Sequence, residues 1–139
     1  MDTKKQKQRG QAIGEFALII PLLFLMIVAL LDFGRMVYVN NALAEGAREG
    51  ARWGAVQGRA ATTAGLTSVA DETRARMTAV HNPSVTVTCD RLITTTTNCS
   101  TGDIIEVTAA SVVSPMSPII GQFIGPVTLT ATAKLSIHQ

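Results

Sequence analysis

The pattern of apolar and polar positions changes abruptly near the start of the chain. Residues 1–10 are polar and basic, and an unbroken apolar run extends from Phe16 to Leu31. Across residues 32–58 charged side chains return at helical spacing among alanines and glycines, and proline is absent there. Pro21 is tolerated inside a membrane helix, where neighbouring groups satisfy the carbonyl that it frees. The pattern therefore predicts one helix from Gln11 to about Val56.

Two further patterns follow along the chain. A second helix is predicted from about Thr62 to Val80, and the Asn82-Pro83 step ends it. Its inward stripe comprises Leu66, Val69, Ala70, Thr73, Met77 and Val80. The period then falls from about 3.6 to about 2 residues, which predicts strands. Their inward positions are Val85, Val87 and Cys89, then Ile105, Val107, Ala109 and Val113, then Val127, Leu129, Ala131, Ala133, Leu135 and Ile137. The expected fold class is α+β, with a small antiparallel sheet whose apolar face packs on the helices.

Three glycines recur every four residues on one face of the first predicted helix. Gly46, Gly50 and Gly54 each cost about 1 kcal/mol of helix stability relative to alanine. Small residues at this spacing allow another element to approach the helix closely. The pattern leaves open whether that element belongs to the same chain or to a neighbouring subunit.

Glu15 lies immediately before the apolar run, so the choice of where a membrane span begins decides whether this carboxylate falls inside it. The run from Phe16 to Leu31 gives about 24 Å of helix, which is shorter than a hydrocarbon core of about 30 Å. Extension back to Ala12 gives the required length but includes Glu15, whereas extension forward meets Asp32. Because a carboxylate inside a span costs about 2.5 to 3.5 kcal/mol, Glu15 needs a partner.

Three interpretations of this N-terminus compete. A secretory signal peptide would use the Ala42-Leu43-Ala44 pattern, but this site lies too far beyond the apolar run. An uncleaved signal anchor would make Gly10 and Glu15 accidental. A prepilin-type leader would be cut after Gly10 by a peptidase at the cytoplasmic face, and Glu15 would then be the fifth residue of the mature chain.

Several segments resemble a known family. Residues 10–16 read GQAIGEF and resemble the G-x-x-x-x-E-[FY] processing motif of the tight-adherence (Flp, type IVc) pilus system. Segments 32–35 (DFGR) and 47–52 (AREGAR), with the proline-bounded apolar segment before the last strand, resemble the TadE-like minor pilins, or pseudopilins. The motif ends in Glu-Phe, where the major pilin usually has Glu-Tyr. The major pilin is also little more than a helix, so a folded C-terminal region favours a minor subunit.

The resemblance implies a pilin-like fold and a structural role in pilus biogenesis and surface adhesion. Processing would take place between Gly10 and Gln11, and Glu15 with Phe16 would serve assembly. By resemblance to type IV pilins, the Glu15 carboxylate would pair with the new amine of Gln11 on a neighbouring subunit. The implied partners are the membrane, a prepilin peptidase, other pilin subunits and the pilus assembly machinery. The alternative is an uncleaved single-pass, membrane-anchored binding or secretion-accessory module.

The charge distribution predicts the orientation in a membrane. Residues 1–10 hold four basic side chains and one acidic one, so their removal changes the formal net charge from +2 to −1. By the positive-inside rule the N-terminus is cytoplasmic and the C-terminal region lies outside. The resemblance implies that the membrane is a bacterial cytoplasmic membrane and that the chain is a candidate for incorporation into an extracellular pilus. We expect a leader at 1–10, a transmembrane part at 11–33, a helical stem at 34–58 and an extracytoplasmic α+β domain at 59–139.

Cys89 and Cys99 are the two cysteines of the chain, and both fall in the predicted extracytoplasmic domain. A disulfide between them would close a short loop that includes the threonine run 94–97, which we expect to be flexible. Such a bridge contributes about 2 to 3 kcal/mol in chain-entropy terms. The alternative, two unpaired thiols, is less common in an oxidising compartment.

Catalysis and nucleic-acid binding find no support in the residue pattern. His81 precedes a helix-ending proline and His138 lies on a polar strand face, and neither has a nucleophile or carboxylate at a recognisable spacing. The basic residues beyond the leader alternate with acids, which is not typical of a nucleic-acid surface. We therefore expect no enzyme, no cofactor, no metal site and no nucleic-acid partner.

The segment 118–126 is apolar and bounded by prolines, and it follows neither helical nor strand alternation. Its Ile120 and Phe123 either fold back onto the core or form an exposed apolar patch for the membrane surface or another pilin. The sequence leaves both possibilities open.

Overall fold

The fold consists of two helices followed by four strands. The structure, a computed structural model, describes residues 3–56, 63–91, 94–96, 99–100, 102–117, 121–122 and 124–137. The elements are α1 (Thr3–Val56), α2 (Thr63–Arg76), β1 (Ser84–Arg91), β2 (Thr94–Thr96), β3 (Ile104–Val113) and β4 (Val127–Ser136). The α+β fold class expected from the pattern is confirmed.

Helix α1 is longer than the pattern predicts at one end only. It ends at Val56 as expected, but it begins at Thr3, before the predicted start at Gln11. The lysines and glutamines of the predicted leader have good intrinsic helix propensity, so the helix continues through them. Pro21 lies inside the helix without ending it. Residues 3–56 therefore form one uninterrupted helix.

Helix α2 ends earlier than predicted, although its inward stripe is correct. All six predicted stripe positions are buried, from Leu66 to Val80. The helix nevertheless ends at Arg76, and the chain continues in a turn in which the amide of Val80 donates to the carbonyl of Met77 over 2.9 Å. This turn keeps a spacing close to that of a helix, so Met77 and Val80 still point into the core. Asn82, at φ 48°, then turns the chain towards β1.

The strands form one antiparallel sheet in the order β2-β1-β3-β4. Val87 pairs with Val107, and Val107 pairs with Ala133, so the inward positions of three strands share one face. The expectation of a flexible threonine run at 94–97 is wrong for residues 94–96, because these residues pair with Cys89–Arg91 as strand β2. Backbone hydrogen bonds to β1 hold this short strand without needing apolar side chains.

The two faces of the sheet differ in polarity. On the inner face Ile105, Val107 and Ala109 are buried against the helices. Ser111 is buried among them, and its hydroxyl donates to the carbonyl of His81 over 3.3 Å. On the outer face a cross-strand ion pair joins Lys134 Nζ to Glu106 Oε2 at 3.0 Å. The helices therefore cover one side of the sheet and leave a polar side exposed.

The glycine face of α1, formed by Gly46, Gly50 and Gly54, packs inside the same chain. A Cβ atom at Gly46 would overlap the side chain of Met77, and one at Gly50 would overlap Thr73. At Gly54 the added atom would overlap the side chains of Ile105 and Val69. α2, the turn that follows it and β3 occupy the space next to the glycines. At these positions, therefore, the element that approaches α1 closely belongs to the same chain.

Strand β3 runs alongside the stem of α1 for nearly the whole length of the domain. The beginning of the strand lies at Gly54, next to the side chain of Ile105. Just after the end of the strand, the carbonyl of Ser114 accepts a hydrogen bond from Nη1 of Arg35. The stem from Arg35 to Gly54 is about 28 Å long, and the chain from Ile105 to Ser114 spans about 30 Å. The two lengths match, so β3 and the stem lie antiparallel with both ends in contact.

Substitution of the glycine face should destabilise the domain. We expect Gly50→Ala to lower the free energy of unfolding by about 1 to 3 kcal/mol, because the added methyl group overpacks against Thr73. The matched control is Gly34→Ala, where open space surrounds the added atom, and it should raise stability by up to about 1 kcal/mol through helix propensity. Denaturant unfolding of the full chain in detergent micelles measures both. Equal effects of the two substitutions would contradict the close packing.

Candidate processing and assembly site

The residues predicted for processing and assembly lie along the first turns of α1. Gly10 and Gln11 fall within the helix, so the peptide bond between them has helical geometry. Glu15 follows Gln11 by one turn, and Phe16 is exposed beside it. The four residues therefore form one continuous surface segment rather than a pocket assembled from separate elements.

The apolar part of α1 has no cover from the rest of the described chain. Its most apolar window has a mean hydropathy of 2.7, and 6% of that window is buried. Large apolar side chains are exposed on every side of the helix, including Leu18, Leu22, Phe24, Met26, Leu30 and Leu31. A surface of this size is unstable in water, because each exposed apolar side chain loses its burial free energy. By length and composition α1 is able to cross a membrane.

Glu15 has one weak contact within the described chain. The side-chain amide Nε2 of Gln11 donates to Glu15 Oε1 over 3.5 Å, which is at the long limit for a hydrogen bond. Both side chains are exposed. The contact leaves most of the carboxylate's hydrogen-bonding capacity for a group outside this chain.

Asp32 connects α1 to the segment that follows β3. Its side chain is only 6% exposed. The amide of Met116 donates to Oδ1 over 3.0 Å, and the amide of Ser117 donates to Oδ2 over 3.3 Å. A carboxylate that accepts two backbone amides forms strong, charge-assisted hydrogen bonds. We call Asp32, Met116 and Ser117 the aspartate clamp.

The sequence did not reveal the aspartate clamp. In the sequence, Asp32 is a charge immediately after the apolar run and part of the DFGR segment. In the structure, the side chains of Asp32 and Arg35 both reach the segment Ser114–Ser117. The sequence signal for such a contact is weak. It consists of a lone acid immediately after an apolar run and, elsewhere in the chain, a segment rich in serine and proline.

The predicted disulfide lies at the other end of the domain. Cys89 and Cys99 are bonded, with 5.5 Å between their Cα atoms, and both are buried in the core. The chain after Cys99 is held by Asp103, whose Oδ2 accepts the amide of Ser100 over 2.7 Å. Gly102 adopts φ 91° in this turn, a conformation that favours glycine. The disulfide thus closes the end of the domain near Gly54 and has no part in the processing segment.

A group of charged side chains links α1 to α2 on the surface. Glu49 accepts hydrogen bonds from Arg52 at 3.0 and 3.1 Å, and Arg76 contacts the same carboxylate at 3.0 Å. The hydrogen bond from Arg52 and the positive charges of both arginines lower the pKa of Glu49, and Glu49 raises the pKa of Arg52. Exposed pairs contribute little stability. This group therefore orients α2 on the stem without making a reactive site.

Among the residues that the structure describes, no three His, Cys, Asp or Glu side chains come together in a way that could hold a metal ion. The segment that follows the aspartate clamp is only partly described. Ile120 and Phe123, which the sequence analysis singled out, lie outside the described residues.

Comparison with known families supports the resemblance over part of the N-terminal helix. Residues 10–52 match the family model of the TadE-like protein. The match covers the processing segment, the apolar part of α1, Asp32 and Arg35, and two of the three glycines of the glycine face. No curated protein and no solved structure gives a significant match to this chain. The recognition of TadE-like features is confirmed over the matched residues.

Removal of the Asp32 carboxylate should loosen the segment after β3. We expect Asp32→Ala to lower the free energy of unfolding by about 2 to 3 kcal/mol, because two amides lose a charged acceptor. Hydrogen exchange at the Met116 and Ser117 amides should accelerate at the same time. The matched control is Asp71→Ala, which removes an exposed pair with Arg74 and should cost under about 1 kcal/mol. Unchanged protection at both amides would show that the clamp does not form.

Proposed function

We propose that this protein is a minor pilin, or pseudopilin, of a tight-adherence type IVc pilus, with a structural role in pilus biogenesis and surface adhesion. Two observations support the proposal. Residues 10–52 match the TadE-like protein family, and the same helix exposes an apolar surface ahead of a folded α+β domain. The exposed apolar part of α1 carries the argument, because it requires either a bilayer or a bundle of similar helices around it.

In this proposal residues 1–10 are a cytoplasmic leader that a prepilin peptidase removes after Gly10. The leader carries four positive charges, which hold the N-terminus in the cytoplasm and place the domain outside. Cleavage creates a new amine at Gln11, one helical turn from the Glu15 carboxylate. The mature helix then stays in the cytoplasmic membrane until the assembly machinery takes it up.

Glu15 has a specific role in this scheme. A carboxylate in an apolar setting is costly unless it is paired, and its contact to Gln11 at 3.5 Å is weak. Pairing with the amine of a neighbouring subunit satisfies two charges at once. Buried pairs of this kind fix register more dependably than they add stability. Glu15 therefore sets the axial position of one subunit against the next.

The proposed role is structural and not catalytic. The partners are the membrane, the prepilin peptidase, other pilin subunits and the assembly machinery. The packing of the glycine face inside the chain leaves the apolar part of α1 as the surface for contact with other helices.

The processing step is tested by the mass and N-terminal sequence of the protein from membranes and from sheared surface filaments. In cells with an active prepilin peptidase we expect the mature chain to begin at Gln11. Gly10→Val should block cleavage, because the branched side chain replaces the small residue at the cut. Gly34→Val is the control on the same helix, in open space, and it should be processed normally. Residues 1–10 intact on the wild-type protein would instead support an uncleaved anchor.

The role of Glu15 is tested by neutralising it. We expect the Glu15→Gln variant to be processed and held in the membrane, yet to be lost from sheared filaments, because the neutral amide cannot balance the positive charge of the amine. Glu45→Gln is the matched control, since Glu45 is an exposed acid on the stem of the same helix. The ratio of filament to membrane protein, measured by immunoblot, compares the two. A Glu15→Gln variant that enters filaments as well as the wild type would contradict this role.

A further inference from the structure

Two described residues between β3 and β4 expose large apolar side chains. Met116 is 76% exposed and Ile124 is 63% exposed. From Val107 to Ala133 the sequence contains no Asp, Glu, Lys, Arg or His. The charged side chains that contact this stretch from α1, Asp32 and Arg35, are bonded to its backbone. Exposed apolar side chains of this kind mark a surface that another apolar phase can cover.

The aspartate clamp fixes the level of this segment along α1. The twenty residues from Ala12 to Leu31 form about 30 Å of helix, which is the thickness of a hydrocarbon core. Asp32 is the next residue, and its carboxylate holds the amides of Met116 and Ser117. Arg35, one turn further, holds the carbonyl of Ser114 at 3.3 Å. Met116 is therefore held at the level where the apolar run of α1 ends.

Several backbone amides between β3 and β4 have hydrogen-bond partners within the chain. The amide of Gly121 donates to the carbonyl of Ser117 over 2.8 Å, and the amide of Gly125 donates to the carbonyl of Gly121 over 3.0 Å. With the two amides bound by Asp32, four amides of the segment have partners within the chain. Backbone groups that approach a bilayer need such internal partners, because lipid offers none.

From these observations we propose that Ser114–Ser117 form a membrane foot, which rests on the outer surface of the bilayer with Met116 inserted among the lipid headgroups and upper acyl chains. The proposal rests on the membrane span of α1 proposed above. The occupant of the patch is lipid because the clamp places the patch at the end of the span, where a bilayer that surrounds α1 must also meet it. The foot fixes the rotation and tilt of the domain before assembly.

Tryptophan fluorescence in vesicles tests the membrane foot. The full chain carries one native tryptophan, so Trp53→Phe gives a background to which single tryptophans are added. The vesicles contain phosphatidylcholine with acyl chains brominated near the headgroup, which quench tryptophan at short range. Met116→Trp probes the foot. Val112→Trp is the matched control, since Val112 is an apolar residue of β3 that is 63% exposed. Leu25→Trp reports whether α1 spans the bilayer.

We expect the Met116→Trp variant to show blue-shifted emission and strong quenching that is independent of the protein-to-lipid ratio, while the Val112→Trp variant shows neither. Addition of Asp32→Ala should reduce the quenching at position 116 and leave that at position 25 unchanged. This pair of results would support both the foot and its attachment through the clamp.

The other outcomes separate the foot from the function on which it rests. If the Leu25→Trp variant is quenched but the Met116→Trp variant behaves like the Val112→Trp control, the foot is wrong and the span stands. If the Leu25→Trp variant is not quenched, the span is wrong and the foot falls with it. Blue-shifted emission at position 116 without quenching, growing as protein is concentrated in the vesicles, would assign the patch to a second copy of the chain and overturn the foot.

Discussion

A single helix has to satisfy two different environments along its length, and the arrangement of the whole chain follows from that requirement. From Phe16 to Leu31 the side chains of α1 are apolar and almost all exposed. From Asp32 onwards one side of the helix is buried, with Val39, Leu43 and Ala47 in the core. No break separates the two parts. The helix that carries the exposed apolar surface is therefore also the central support of the domain, and the two parts are joined by continuous helix.

Close packing at the glycine face keeps the domain thin. Ordinary side chains at these three positions would push α2 and the sheet away from the stem, and the small core could not absorb the gap. A domain of this size buries little apolar surface. Its stability therefore depends more on close contact between the elements than on the number of large side chains. Alanines at positions 47, 51 and 55 serve the same purpose beside the glycines. The disulfide adds a covalent bond at the end of the sheet that lies beside the short strand β2.

Local patterns were enough to predict most of the fold, whereas contacts between distant segments were not. The inward stripe of α2 and the alternation of β1, β3 and β4 repeat within a few residues, so the sequence alone revealed them. Strand β2 was missed because it depends on backbone pairing and has no apolar alternation. The contact of Asp32 with Met116 joins residues 84 positions apart, and no local rule predicts it. The predicted processing motif from Gly10 to Phe16 is contiguous in the sequence, so it could be proposed without the fold, and it stays a prediction.

The matched lengths of β3 and the stem have a mechanical consequence. Because the strand is attached to the helix near Arg35 and again near Gly54, the two elements behave as a single rigid lever about 30 Å long. A rotation of the stem about its own axis would therefore carry the far end of the domain with it, where Cys89 and Cys99 lie. If such helices packed side by side, the packing of the apolar part of α1 would set the direction in which that end of the domain faces.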